Sequence, residues 1–220
     1  MLKSNIEYIV QQQKLVLLAE KAIWWTEEKM LLVADIHLGK VGHFRQAGIP
    51  IPTQIPHQDL HVLSRLVEQC QPHSLTILGD LFHSKLNNEW LIFEEWCKNH
   101  KNLAINLIKG NHDIIPTSLF ESQHIQVFPT FWVKSPFIFS HIPLAKHELE
   151  EGFYNLCGHL HPAITLNGRG RQSLRLPCFY FGQNQGYLPA FGQFTGMATI
   201  TAKHGDTVFG IIDKKVIRIL

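Results

Sequence analysis

The chain has 220 residues, of which 45% are apolar, so it can bury a full hydrophobic core and lies in the size range of one domain, residues 1–220. Its 20 basic and 18 acidic side chains leave a net charge of +2, so the chain lacks the strongly basic balance of a dedicated nucleic-acid binder. No run approaches the ~18 uninterrupted apolar residues that span a bilayer, and the N-terminal residues lack a signal-peptide pattern, so we expect a cytoplasmic protein without a membrane partner.

Short apolar runs, rich in branched and aromatic residues and bounded by Gly, Pro or Asn, predict buried strands. In chain order these runs are 15–18, 30–34, 75–78, 104–108, 137–139, 155–157, 164–166, 178–181 and 207–212. Two segments, 60–70 and 90–97, repeat apolar residues every three or four positions and predict helices that lay one face on a sheet. This order of elements indicates an α/β or α+β sandwich, in which helices pack over a mixed sheet or a pair of sheets.

The four cysteines (Cys70, Cys97, Cys157 and Cys178) lie in apolar runs without CxxC spacing. Cysteines of this kind usually behave as small buried hydrophobic residues. We therefore expect reduced thiols.

Polar groups that can bind metal follow five of the predicted strands. Ligands bind at the carboxyl ends of the strands in open α/β sheets, so groups that are distant in sequence can converge there. In chain order the groups are Asp35 and His37, Asp80, Asn111, His141, and His159 with His161.

The chemistry of these groups indicates a two-metal site. Two carboxylates, one amide oxygen and four imidazoles suit Mn²⁺, Fe or Zn²⁺ better than Ca²⁺ or an ion that prefers thiolates. One shared carboxylate could bridge two ions ~3.5–4 Å apart, the separation found in two-metal phosphoesterases. We expect two divalent ions, with Mn²⁺ first and Fe or Zn²⁺ as alternatives.

The motifs DIH, GDLFH, GNHD, SHIP and CGHLH, in this order over residues 35–161, resemble the five motifs of the calcineurin-like metallophosphoesterases. The resemblance implies a sandwich of two mixed β-sheets flanked by helices, and a phosphoester hydrolase. It further implies that Asp35, His37 and His161 hold the first metal and that Asn111, His141 and His159 hold the second, with Asp80 bridging. By the same resemblance, His112 stabilises the pentacoordinate phosphorus or protonates the leaving oxygen without binding metal.

Two flanking segments, LGKVGHFRQAGIPIP (38–52) and LPCFYFGQNQGYLPAFGQFTGM (176–197), are similar to those of the bacterial ligase-associated DNA-damage-response endonucleases. This narrower resemblance implies a nucleic-acid substrate and a role in DNA repair beside a ligase, a helicase and an exonuclease. The ending FTGM departs from the FTGG of that family. The oligomeric state does not follow from these motifs.

The position three residues after Asp80 departs from the family pattern. Many relatives carry a carboxylate there, which orients the catalytic histidine, whereas this chain has His83. Asp113 or a main-chain carbonyl could take over that role, or His112 could be oriented differently. Asp113 could equally cap the following helix.

Further candidates for substrate binding are less specific. Lys40 and Arg45 lie just beyond the first metal motif and could bind phosphate, or could be ordinary surface charges. Arg169, Arg171 and Arg175 could hold a phosphodiester backbone, but a solvated hairpin turn explains them more simply. The aromatic residues that could stack bases, or simply fill the core, are Phe179, Tyr180, Phe181, Tyr187 and Phe191.

Three hypotheses for function follow. The first is a two-metal phosphodiesterase that acts on nucleic acid, as an endonuclease in bacterial DNA repair. The second is a phosphodiesterase or phosphatase of small nucleotides or other small phosphate esters. The third is a weakly catalytic scaffold for repair partners, but such proteins should lack metal ligands or the GNH histidine, and this chain has both.

Overall fold

The computed structural model describes residues 4–40, 58–83, 88–168, 170 and 172–220. Three α-helices lie in this part of the chain: α1 (Gln58–Cys70), α2 (Asn88–Asn99) and α3 (Thr117–Ser122), and a 3-10 turn covers Lys146–Glu148. The strands are β1 (Ile6–Val10), β2 (Gln13–Leu18), β3 (Ala22–Trp25), β4 (Met30–Val33), β5 (Ser74–Leu78), β6 (Ala104–Ile108), β7 (Ile125–Phe128), β8 (Phe131–Lys134), β9 (Phe137–Ser140), β10 (Tyr154–Cys157), β11 (Pro162–Asn167), β12 (Ser173–Phe181), β13 (Gln185–Tyr187), β14 (Ala198–Thr199), β15 (Thr207–Ile212) and β16 (Lys215–Arg218).

The first sheet has the order β1-β2-β3-β4-β5-β6-β7. Neighbouring strands from β1 to β4 are antiparallel, whereas those from β4 to β7 are parallel. The parallel half therefore presents the carboxyl ends of β4, β5 and β6 along one edge.

The second sheet has the order β14-β11-β12-β13-β10-β9-β8, and β15 joins it at β12 and carries β16. Within it β9 and β10 are parallel neighbours, paired from Phe137 opposite Tyr154 to Ser140 opposite Cys157. The segments that follow β9 and β10 therefore leave the sheet side by side.

Alternation of side chains along the strands divides the core into two layers. In β2, Val16 and Leu18 belong to the layer under the helices, whereas Leu15 and Leu17 face the second sheet. The helical layer contains Leu63 of α1, Phe93 of α2 and Phe120 of α3, and the layer between the sheets contains Phe137, Phe139, Phe179 and Phe209. The first sheet is thus buried on both faces.

Asn155 lies on the other face of the second sheet, where it is fully buried in a polar network. Its side-chain amide donates to the Ile138 carbonyl and to Ser140 Oγ, both at 2.9 Å, and its oxygen accepts the Leu144 N–H at 3.1 Å. The loop after His141 is therefore fastened to this face. In the described ranges, the helices cover the first sheet only.

The predicted fold class is confirmed, because the two mixed sheets and the helices form the expected sandwich. All nine predicted strands and both predicted helices are present. The short elements β1, β3, β7, β8, β13, β14, β16 and α3 were not predicted. Most of their runs are short or mixed with polar residues, whereas AIWW of β3 is apolar throughout and was missed. The prediction of one domain stays a prediction.

The four cysteines are free thiols, and burial raises the pKa of each above its ordinary value. No helix in the described segments is long and apolar enough to cross a membrane.

Candidate metal centre

The seven candidate ligands lie at the edge where both sheets end. Asp35, Asp80 and Asn111 follow the parallel strands β4, β5 and β6, and His141 and His159 follow β9 and β10. An isolated bridge between Leu38 and Phe82 ties the first two of these loops together. Main-chain pairing therefore aligns the segments that carry the ligands.

Each carboxylate uses one oxygen for the main chain and leaves the other for the centre of the site. Asp35 Oδ2 accepts the His159 N–H at 2.9 Å, while its Oδ1 has no hydrogen-bond partner among the described residues. Asp80 Oδ1 accepts the His112 N–H at 2.9 Å, while its Oδ2 faces two imidazoles. Both side chains are thereby fixed in orientation before any ligand binds.

One set of donors surrounds Asp35 Oδ1. Asp35, His37 and His161 offer donor atoms that all lie within 4.8 Å of one another. His161 Nε2 is 3.4 Å from Asp35 Oδ1. This is the set expected for the first metal.

The second set gathers at His141 Nε2. Asn111 Oδ1 lies 3.0 Å from this nitrogen, His159 Nδ1 lies 3.1 Å away, and Asp80 Oδ2 lies 3.5 Å away. Asp80 Oδ2 is also 3.7 Å from His37 Nε2, so it stands between the two sets. Asp35 lies near both sets, because Asp35, Asp80 and His141 form a second group within 4.8 Å.

These donors fit divalent metal ions. Ligand atoms bound 2.0–2.2 Å from one ion lie ~2.9–3.5 Å from one another, as around His141 Nε2. Both ring nitrogens of His37 and Nε2 of His161 are buried without a hydrogen-bond partner in the described part of the chain. Buried polar atoms are rarely left unpaired, so a bound ion accounts for them better than packing does.

Burial favours the neutral form, which metals bind, in two of the imidazoles. Burial, followed by the charges of Lys40 and His161, lowers the pKa of His37 to about 2. Burial also lowers the pKa of His159. His141 Nδ1 donates to the Leu78 carbonyl at 3.0 Å, so Nε2 is directed toward Asn111 and His159.

The backbone of the site is unusual. Five of the seven candidate ligands have positive φ: Asp35, His37, Asp80, His159 and His161. Non-glycine residues rarely adopt this conformation, and it clusters at functional sites. Gly79 also has positive φ (79°), and a β-carbon there would overlap the His141 ring.

His112 lies beside the first set without joining either group. Its ring stacks on His83 (centroids 5.0 Å apart, planes at 24°) and stands edge-on to His37 at 5.4 Å. Asp113 neither caps α3, whose N-cap is Pro116, nor has a hydrogen bond to His112 among the described contacts. Instead it accepts the Phe82 and Gly110 N–H groups at 3.1 and 2.9 Å, which ties two metal loops together.

Of the substrate-binding candidates, only Lys40 is placed at the site. Burial lowers its pKa, and the nearby carboxylates of Asp80 and Asp35 raise it, so its charge lies close to both. Arg45, Arg169 and Arg171 fall outside the described residues. Arg175 is exposed and donates to Thr199 Oγ1 at 2.8 and 3.0 Å.

The aromatic candidates belong mainly to the structure. Phe179, Phe181 and Phe191 are buried in the core. Tyr180 and Tyr187 are half-buried and stack on each other, with ring centroids 4.9 Å apart. None of the five stands free at the metal centre.

The sequence analysis missed the role of residues 192–198, which we call the strap. Its ends bind the carbonyls of two candidate ligands: the Gly192 N–H donates to Asp35 at 3.2 Å and the Ala198 N–H donates to His161 at 3.0 Å. The family-like segment 176–197 marked this region, but no local pattern shows a main-chain contact to a residue more than 150 positions away.

Comparisons with known proteins identify a family and similar solved structures. The family model for calcineurin-like phosphoesterases matches residues 28–205. Among solved structures, the nuclease MPE of Pseudomonas putida is similar, with 35% sequence identity and a TM-score of 0.80 over 98% of this chain and 100% of that one. Yfce, a phosphoesterase from E. coli, gives 14% identity and a TM-score of 0.45 over 86% of this chain and 96% of its own. No curated protein is significantly similar to the chain.

Proposed function

The chain belongs to the calcineurin-like phosphoesterase family and is a metal-dependent phosphoester hydrolase, and from this premise we propose that it cleaves phosphodiester bonds in nucleic acid. The observation that carries the proposal is the likeness, at 35% identity over 98% of the chain, to a protein described as a nuclease. The family-like segments around the metal motifs support the same substrate class.

For the metal centre we propose that Asp35, His37 and His161 bind one ion and that Asn111, His141 and His159 bind the other. Asp80 would be shared by both ions, because its Oδ2 lies 3.7 Å from His37 Nε2 and 3.5 Å from His141 Nε2. Mn²⁺ is the ion proposed, with Fe and Zn²⁺ as alternatives, since the set contains oxygen and imidazole donors but no thiolate. Two such ions would supply Lewis acidity for the phosphate oxygens and would lower the pKa of a bound water toward neutrality.

His112 is the proposed proton donor to the leaving oxygen. Its main-chain N–H donates to Asp80 Oδ1, so the backbone of His112 is fixed next to the proposed shared carboxylate. Stacking on His83 holds the ring in place where many relatives use a carboxylate. A general acid at this position contributes by protonating the oxygen as the P–O bond breaks.

Lys40 is the proposed phosphate-binding cation. Its charge interacts with Asp35 and Asp80, so it lies near two of the proposed metal ligands. A non-bridging phosphate oxygen there would pair with the ammonium group. Arg45 is proposed for the same purpose from its position in the sequence.

The cellular role that we propose is DNA repair in the bacterial cytoplasm, beside a ligase, a helicase and an exonuclease. This proposal rests on the segments 38–52 and 176–197, which are similar to those of the ligase-associated endonucleases. The scaffold hypothesis loses support, because all seven donors are present and converge.

The first test compares hydrolysis of bis-p-nitrophenyl phosphate with that of p-nitrophenyl phosphate by metal-stripped protein reloaded with Mn²⁺. The Asp80→Asn variant is the inactive control, and Asp213→Asn, an exposed carboxylate in the β15–β16 turn, is the matched control that should behave as wild type. Diester preference, followed by cleavage of DNA or RNA, supports the proposal. Monoester preference would support the small-phosphatase hypothesis instead, and absence of activity with metal bound would support the scaffold.

A further inference from the structure

The strap (residues 192–198) is anchored at both ends to the first metal set. The Gly192 N–H binds the Asp35 carbonyl and the Ala198 N–H binds the His161 carbonyl, at 3.2 and 3.0 Å. Asp35 and His161 also face each other across 3.4 Å through their side chains. The strap therefore runs from one ligand residue of this metal set to another.

The beginning of the strap makes further main-chain contacts. The Phe191 N–H donates to the Ala34 carbonyl at 2.8 Å, and the Gln193 N–H donates to the Asp59 carboxylate. At Gly192 a β-carbon would overlap the Ile36 carbonyl, so the two main chains touch. This part of the strap keeps a defined position relative to the metal ligands, as a rigid platform for substrate requires.

The strap exposes two large apolar side chains. Phe194 is 36% exposed and Met197 is 39% exposed. Phe194 lines a narrow cleft with His37 and Lys40, so it stands next to both a candidate ligand and the candidate phosphate-binding cation. Single exposed apolar residues are common on surfaces, but two within four positions on an anchored loop at a catalytic centre have a more specific explanation.

We propose that the strap is a nucleoside-binding surface, on which Phe194 stacks against a base next to the scissile phosphate and Met197 packs beside it. This inference rests on the proposed nucleic-acid substrate and adds the residues that recognise it. The phosphate would then lie near the proposed metal ligands and Lys40, with the adjoining base directed toward the strap. Aromatic side chains bind bases of any sequence in this manner, because every base has a π-face.

Met197 gives the surface a feature of its own. A thioether is polarisable and adapts its shape to its partner, so it can pack against a ring of variable orientation.

The test uses a short oligodeoxynucleotide that contains one phosphodiester linkage among uncharged methylphosphonate linkages, so that the position of the cut is known. In two partner substrates, the nucleotide on the 5′ or the 3′ side of that linkage lacks its base. The variants are Phe194→Ala, Phe194→Tyr, Phe194→Leu and Met197→Gly. Ile9→Ala is the matched control, because Ile9 is an exposed apolar residue on β1, at the far edge of the first sheet.

For the substrate with both bases, Phe194→Ala should lower kcat/KM by roughly 5- to 150-fold, mainly through a higher KM. Phe194→Tyr keeps the aromatic ring, so its kcat/KM should stay close to that of the wild type. Phe194→Leu keeps the bulk without a π-face, so its kcat/KM should fall as far as that of Phe194→Ala. Met197→Gly should give a smaller loss. On one of the two abasic substrates, kcat/KM of the wild type should fall by a similar factor. On that same substrate, Phe194→Ala should show no further loss of kcat/KM.

Several results would overturn the inference. Equal loss by Phe194→Ala on base-bearing and abasic substrates would mean that the ring only supports the loop. Wild-type cleavage that is the same on all three substrates would exclude stacking while leaving the proposed function intact. If wild type instead cleaves bis-p-nitrophenyl phosphate but no oligonucleotide, the proposed function itself fails.

Discussion

Replacing Asn155 by alanine should destabilise the protein and loosen the loop that carries His141. The side chain is fully buried and makes three hydrogen bonds, to Ile138, Ser140 and Leu144, at 2.9, 2.9 and 3.1 Å. A buried hydrogen bond contributes about 1 kcal/mol net, and each partner left unsatisfied adds to the cost. We therefore expect a loss of ~3 kcal/mol, a large share of the ~5–15 kcal/mol that stabilises a typical domain.

The free energy of unfolding is measured by urea denaturation of the metal-free protein, and Mn²⁺ affinity by titration calorimetry without urea. With a slope of ~1–3 kcal/mol per molar urea, the midpoint should fall by about 1 M or more. Mn²⁺ binding to the second site should also weaken, because Ser140, which precedes His141, loses the hydrogen bond from the Asn155 amide. Asn167→Ala, an exposed asparagine on β11, is the control and should change stability by less than ~0.5 kcal/mol. An Asn155→Ala midpoint equal to that of Asn167→Ala would refute the reasoning.

Three further predictions concern the metal loops. Asp80→Asn should abolish hydrolysis and weaken the binding of both ions. His112→Ala should keep its metal content, measured by elemental analysis after dialysis, but slow turnover by ~10²–10⁴-fold. Loss of an ion from His112→Ala would disprove its assigned role. Gly79→Ala should cost more than ~1 kcal/mol in urea unfolding and displace His141, because the new β-carbon overlaps that ring and φ is positive; a variant as stable as wild type would contradict this. The pKa of His37 is lowered to about 2 from an ordinary value of 6.5, so between these pH values the unfolded chain binds a proton at this residue and the folded chain does not. The free energy of unfolding of the metal-free protein should therefore fall as the pH drops below 6.5. This group contributes up to ~1.4 kcal/mol per pH unit to that fall. His37→Gln should reduce that slope in urea titrations between pH 7.5 and 5, and equal slopes would exclude His37 as the cause.

The residues of the candidate site could be read from the sequence because each follows a local pattern. An apolar strand of four or five residues, then a turn, then Asp, Asn or His is visible without any knowledge of distant contacts. Side-chain types also limit the chemistry, since oxygen and imidazole donors without thiolates suit a small group of ions. The strands whose runs are short or mixed with polar residues, such as β8 with FWVK, lack such a signal.

The roles of Asp113 and His83 could not be read in the same way. The sequence left two roles possible for Asp113, capping a helix or orienting His112. Among the described contacts it has neither role, because both of its carboxylate oxygens accept hydrogen bonds from main-chain N–H groups. His83 stands against the His112 ring because the loops after β5 and β6 leave neighbouring parallel strands. No local sequence pattern predicts the contacts of either residue.

By itself, then, the sequence determined the types of donor, their places at strand ends, and the alternation of apolar residues that builds a sandwich. Only the tertiary structure decided which donors share a centre, how Asp80 stands between two sets, and how the strap joins Asp35 to His161. The reason is that strand ends are local features, whereas distances between side chains depend on how two sheets pack and on backbone conformations that no local pattern reveals. The exposed pair Phe194 and Met197 is the clearest case, because its meaning comes from the residues to which the strap is anchored.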